Sequence, residues 1–156
     1  MKTWASVLVI FILALGTASC ADTSTREQKF ADMLRLAERG DAGSQYNLGL
    51  MYEQGYGVTH DLRKAVAWFE KAAANREANA QCRLGFLYYH GQGVQKDLEQ
   101  AAEWYKKAAE QGDPGAQAAL GNLYLLGEGV PKDSAKAAYW HKKSLKLKKH
   151  IDFTRD

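Results

Sequence analysis

The sequence predicts an all-α solenoid of stacked helix pairs, and three observations carry that prediction. One pattern recurs without insertion: Leu48, Leu84 and Leu120 stand 36 residues apart, and each opens a Leu-Gly-x-x-Tyr-x-x-Gly-x-Gly-Val-x-x-Asp stretch. A fixed period of this size marks a supersecondary unit that is repeated and stacked. Apolar residues around each copy return at helical spacings of three and four. Composition is that of a globular protein, with 46% apolar and 25% charged residues in 156, so the units can share one continuous core within one domain.

The first 21 residues read as an address. Lys2 precedes nine consecutive apolar residues, Val7 to Leu15, and then the small residues Gly16, Thr17, Ala18 and Ser19. A basic start, a short apolar core and a small-residue exit describe a secretory signal peptide. The run is short for a membrane span, which takes about 20 apolar residues in a helix. Two exits stay open. Cys20 follows Ala18-Ser19, where a bacterial lipoprotein signal places its lipidated cysteine, although Thr17 stands where that signal carries leucine; cleavage after Ala21 is the other. Both deliver the mature chain to a bacterial periplasm or envelope surface. With Cys20 removed or lipidated, Cys82 has no intramolecular partner and is either a buried, inert thiol or a reactive one. Formal charge is +3, and losing Lys2 leaves 20 basic residues against 18 acidic ones, too mild an excess for a nucleic-acid surface.

Residues 22–41 hold a polar tether and a capping helix. Phe30, Met33, Leu34 and Ala37 form its apolar stripe. By the period Ala37 matches Ala73 and Asp41 matches Glu77, so this helix is the second half of an incomplete leading unit. Full units follow at 42–77, 78–113 and 114–149, with a tail at 150–156. Their first helices start at Ala42, Ala78 and Pro114, proline being tolerated in a first turn, and stop before Gly55, Gly91 and Gly127.

Gly49, Gly85 and Gly121 fall in mid-helix, where glycine costs about 0.5–1 kcal/mol against alanine. That cost, met three times at one position, predicts that the backbone of another helix passes too close for a Cβ. In the connectors the first glycine suits the left-handed residue that ends a helix, and the second suits a tight turn. Val58, Val94 and Val130 tuck inward, and Asp61, Asp97 and Asp133 cap the next helix, worth about 0.5–2 kcal/mol each. The second helices carry Ala65, Trp68, Phe69, Ala72 and Ala73, matched by Ala101, Trp104, Tyr105, Ala108 and Ala109. Small residues opposite large ones let antiparallel helices interlock, with Trp68, Trp104 and Trp140 as equivalent struts. The third copy drifts to His141 and Ser144, polar as suits a unit with one face in solvent.

The pattern A-x5-L-G-x2-Y-x2-G-x-G-V-x2-D-x3-A-x2-W-[FY]-x2-A-A resembles that of the Sel-one-like repeat (SLR) family, relatives of the tetratricopeptide repeats. The resemblance runs from residue 42 to about residue 145. It implies a right-handed α/α superhelix that serves as an adaptor for protein–protein complexes, frequently in the bacterial envelope or in signalling. Cysteine-rich members have been associated with β-lactam binding or hydrolysis, but this chain lacks the paired cysteines that would staple each repeat.

Signals of chemistry are weak. The Gly-x-Gly connectors lack a following Gly-Lys-Ser/Thr and end in an aspartate that repels phosphate. His60, His90, His141 and His150 lack the i, i+4 spacing of a helical metal pair and read as surface residues. No Ser-x-x-Lys occurs, and no nucleophile stands beside a base. No enzyme, cofactor or metal is therefore expected. The run Lys142, Lys143, Lys146, Lys148 and Lys149 complements the dipole at a helix C-terminus, with an anionic membrane or acidic partner as the alternative.

Binding belongs at first-helix positions that vary between copies, because packing holds the others fixed. These are Tyr46, Leu50 and Glu53 (with Gln54), then Cys82, Phe86 and Tyr89 (with His90), then Asn122 and Leu125 (with Ala118 and Leu126). In tetratricopeptide relatives the matching positions line a concave groove, here an apolar centre with polar edges like an interface hot spot. Packing between adjacent units is the alternative role for each of them. Replacing Phe86 and Tyr89 by alanine is expected to weaken partner capture with stability nearly unchanged. The expected function is a non-catalytic, monomeric envelope adaptor for one protein partner. The alternatives are a periplasmic immunity protein that inhibits a secreted toxin and, in another class, a β-lactam-binding or hydrolysing enzyme.

Overall fold

The computed structural model describes Thr23 and residues 25–153, with side chains as far as Leu145. The expected signal segment with Cys20, and the side chains of Lys146, Lys148 and Lys149, lie outside the described residues. Among the described residues there are seven helices and no strand: α1 over residues 25–38, α2 Ala42–Gln54, α3 Leu62–Ala74, α4 Ala78–His90, α5 Leu98–Glu110, α6 Pro114–Leu126 and α7 Ser134–Phe153. None is long and apolar enough to cross a membrane.

Local chemistry sets the helix ends. From α2 to α7 each helix starts on a carboxylate that accepts a backbone N–H of its first turn. Asp61, Asp97 and Asp133 do so at 3.0, 3.0 and 2.9 Å, and Asp41 and Asp113 at 2.6 Å. Those bonds hold the Asp61 and Asp133 carboxyls below the usual range. Gly55, Gly91 and Gly127 end α2, α4 and α6 at φ 67°, 69° and 78°, the left-handed stop that the connectors predict.

The helices pair as α2 with α3, α4 with α5 and α6 with α7, and α3–α4 and α5–α6 contacts join one pair to the next. Each first helix is thus held between two second helices. Leu84, Leu87 and Leu120 are fully or almost fully buried among Phe69 and the alanines of α3 and α5, and Leu48 is fully buried with Ala37 of α1 and Met51.

The structure corrects two expectations. A Cβ on mid-helix Gly85 would stand 2.7 Å from the Tyr105 ring, and one on Gly49 2.5 Å from the Phe69 ring, so a side chain and not a backbone excludes it. The backbone approach belongs to the second connector glycine. Gly93 adopts φ 73°, and a Cβ there would lie 2.7 Å from the Leu62 carbonyl oxygen at the head of α3; Gly57 and Gly129 face Arg26 and Leu98 in the same way. The tryptophans are equivalent but not central. Trp68, Trp104 and Trp140 are half-buried, while the next residue along, Phe69 or Tyr105, takes the deep position. Neighbours in a helix differ in direction by about 100°, so one faces the partner helix and the other reaches only the boundary. There Lys71 and Lys107 place their ammonium groups 3.7 and 4.0 Å from the indoles of Trp68 and Trp104.

A polar device not foreseen from sequence locks the units together. Gln45, Gln81 and Gln117 are buried, and each donates from Nε2 to the carbonyl of Ala37, Ala73 or Ala109 at 3.1 Å. These carbonyls lie near the end of the preceding second helix, where each also accepts a turn amide, from Gly40, Arg76 or Gly112 at 3.0–3.1 Å. In return Gln45 Oε1 accepts from Asn75 at 3.1 Å and Gln81 Oε1 from Gln111 at 2.7 Å. Among the described residues Gln117 Oε1 is buried without a partner; the position equivalent to Asn75 and Gln111 holds Leu147, which has no donor. Gln81→Leu therefore breaks two bonds and Gln117→Leu one. Urea titration should find Gln81→Leu the more destabilising by about 1 kcal/mol.

Candidate partner-binding face

The first helices α4 and α6 touch only lightly, and hollows open on the side of the molecule they line. One, of about 320 Å³, lies among Tyr46, Cys82, Arg83, Phe86, Tyr105 and Asp113. A second, also about 320 Å³, lies between α4 and α6 among Tyr89, His90, Asn122, Leu125, Leu126 and Glu128. Tyr105 floors both.

The eight positions singled out from sequence divide among distinct environments. Tyr46 is half-buried with its ring 5.7 Å from that of Phe69, and burial raises its phenol pKa. Leu50 packs, as Phe86 does, on the core around Phe69 and Leu84, and also faces a third hollow, between α1 and α2. Glu53 is engaged: Arg83 Nε reaches its two carboxylate oxygens at 3.1 and 3.0 Å, and Nη2 closes on Oε1. Phe86 is half-buried between the core around Phe69 and Leu84 and the one around Tyr105 and Leu120, with the Arg83 guanidinium 4.9 Å from its ring. Tyr89 donates its hydroxyl to Glu128 at 2.8 Å. Asn122 is exposed and pairs with His141 Nε2 at 3.1 Å. Leu125 and, beside it, Leu126 are 45% and 60% exposed.

Phe86, Tyr46 and Cys82 thus serve in part as packing between units, and the free apolar surface gathers at Leu125 and Leu126. Sequence reasoning missed Arg83, Tyr105 and Glu128. Arg83 carried a usable signal: it occupies the register of Asn47 and Ala119, so a charge appears there in one unit alone. Among the described residues no three His, Cys, Asp or Glu side chains gather to hold a metal. On this face apolar patches are rimmed by amide, imidazole and carboxylate groups.

The repeat pattern finds its counterpart in a family model, Sel1 repeat, which matches residues 42–76, 78–113 and 114–148. The chain belongs to the Sel1 repeat family. Members of this family generally bind other proteins. Among solved structures, a protective antigen present in uropathogenic Escherichia coli strains, displaying an SLR fold, is 38% identical with a TM-score of 0.72, over 74% of this chain and 25% of that one. A Sel1 repeat protein from Oxalobacter formigenes is 37% identical with a TM-score of 0.73, over 78% of this chain and 49% of that one. Helicobacter pylori cysteine rich protein B is 26% identical with a TM-score of 0.59, over 81% and 88%. The chain therefore spans between a quarter and a half of the first two. No curated protein matches it.

Cys82 shows which kind of thiol this repeat holds. Burial, then the nearby Asp113 carboxylate, push its pKa up to about 12, so the nucleophilic thiolate is scarce at neutral pH. At pH 8 its alkylation by iodoacetamide should run at least about a hundredfold slower than that of free cysteine and recover in denaturant. The folded pKa lies above the unfolded value of about 8.5. Stability from the protonated thiol is therefore complete below about pH 8.5 and is lost as pH climbs toward 12, a fall that Cys82→Ala should diminish in alkaline melting curves.

Proposed function

We propose that the chain is a non-catalytic adaptor of the bacterial envelope that holds one protein partner on the face lined by its first helices. The observation that supports this most is the pair Leu125 and Leu126, solvent-exposed at the mouth of a hollow rimmed by His90, Asn122 and Glu128. Exposed aliphatic side chains around a concavity with a polar rim suit a protein interface. The export signal read in residues 1–21 supports the location. An immunity protein against a secreted toxin would use the same face and differ only in the partner.

Phe86 with Tyr89 is a poor pair for testing this, since Phe86 fills space between two cores and its truncation costs about 2 kcal/mol in stability. Leu125→Asp with Leu126→Asp touches solvent-exposed positions instead. The double variant immobilised against envelope extract should retain at least about tenfold less of the protein that the parent captures, as expected when a hot spot is removed. Its helicity and melting temperature should be unchanged. Equal retention by parent and variant would overturn this assignment of the face.

A further inference from the structure

In each full unit the second helix is covered by the first helix that precedes it. Ala65, Phe69 and Ala72 of α3 are all 0% exposed beneath α2. Ala101, Tyr105 and Ala108 of α5 are 0, 7 and 0% exposed beneath α4. The helix α1 is a second helix by register, and its corresponding residues are Lys29, Met33 and Leu36. Here Lys29 is exposed, Met33 is half-buried and Leu36 is 41% exposed. The side of α1 turned toward α2 is in order: Ala37 is 1% exposed and packs with Leu48 and Met51, with Met33 reaching the edge of that cluster. The place where a first helix would lie is instead a hollow of about 480 Å³ among Met33, Leu36, Leu50, Met51 and Tyr56, with Lys29 and Asp32 on its edge.

We propose that this slot takes a single amphipathic helix from a partner protein, seated on α1 as α2 is seated on α3 and carrying a carboxylate toward its C-terminal end. The three covered pairs elsewhere in the molecule define the occupant. It is about three turns long, antiparallel to α1, apolar toward Met33 and Leu36 and polar outward. Direction follows from the pairs: the N-terminal end of α3 meets the C-terminal end of α2, where Asp61 N–H donates to the Tyr52 carbonyl at 2.9 Å and Lys64 lies over the Tyr52 ring. Lys29 therefore stands level with the last turns of the guest. Alanine occupies that position in α3 and α5, so an ammonium at the edge of the slot favours an opposite charge on whatever covers it.

Other occupants fit less well. A seven-residue connector before α1 would place the chain's own first helix at residues 6–18. That stretch contains nine consecutive apolar residues, which would leave apolar surface on every side not facing α1. A second copy offers no free helix of this type, since α2, α4 and α6 each already cover a partner. The slot is separate from the α4–α6 hollow and does not depend on the adaptor reading.

The probe is a synthetic helix with the sequence Ala42–Gln54 carrying Tyr52→Glu, stapled between its outward positions 43 and 47. Titrated into the isotope-labelled full chain, it should shift the amide resonances of Met33, Leu36 and Leu50. It should bind about tenfold more tightly than the same peptide carrying Tyr52→Lys, the expected size of one well-placed interfacial charge. Lys29→Glu should reverse that preference, and Leu36→Glu should abolish binding while leaving the amide spectrum of α4–α7 in place. The inference is overturned if the peptide leaves α1 unshifted up to about 1 mM, beyond which binding is too weak to hold a partner. It is equally overturned if shifts fall on the α4–α6 hollow, if Leu36→Glu binds as the parent does, or if sedimentation shows a Leu36-dependent dimer.

Discussion

Each helix pair closes where an aromatic ring of the second helix lies against a part of the first that has no Cβ. Phe69 against Gly49 and Tyr105 against Gly85 set how near the two axes come, and through that the spacing of all the first helices. Magnitudes explain why the glycine persists in mid-helix. Its cost there is about 0.5–1 kcal/mol, whereas full burial of a ring such as Phe69 contributes about 1.5–3 kcal/mol. In the third unit His141 takes the same place over Gly121. An imidazole buries less apolar area, and its ring instead pairs with Asn122, so that unit closes by a polar contact where the others close by an apolar one.

Once the pairs are fixed, polar side chains set how one unit follows another. Glu53 reaches forward to Arg83, Tyr89 reaches forward to Glu128, and the buried glutamines tie each first helix to the preceding second helix. The third member of the Glu53 and Tyr89 register is Leu125, which has no polar atom to reach with. Two of the three equivalent positions are therefore spent on order within the stack, and the remaining one is left apolar and exposed. The character of the candidate face at its α6 end is a consequence of that single difference in chemistry.

Period, helix ends and capping residues were legible in the sequence because each depends on a few adjacent residues: Gly55 with its left-handed φ, Asp61 with the amide of Lys64. The site was legible only in outline. Choosing Phe69 over Trp68 as the deep ring depends on the rotation of one helix against another, and the Glu53–Arg83 pair joins residues thirty apart through long, flexible side chains. That Leu50 borders a hollow shared with Met33, while packing on the same core as Phe86, depends on how α1 and α2 sit together. Gln81 could have been noticed, because a glutamine recurring at Gln45, Gln81 and Gln117 between buried alanines and leucines calls for a buried partner.

Comparing equal positions within one chain does more than describe the repeat, because it separates a side chain's intrinsic tendency from its surroundings. Leu36 and Ala72 share a register, yet the larger and more apolar of them is the one in water. Burial alone would favour the opposite arrangement by roughly 25 cal/mol for each Å² of apolar surface. Leucine at that register also changes what can cover it. A helix seated on α3 can approach until its glycine meets Phe69, but over α1 the extra bulk of Leu36 requires either a wider spacing or smaller residues facing it. A helix with the sequence of α2 therefore sits over α1 at a slightly wider spacing than over α3, and a tighter cover carries small residues opposite Leu36 as well as opposite Met33.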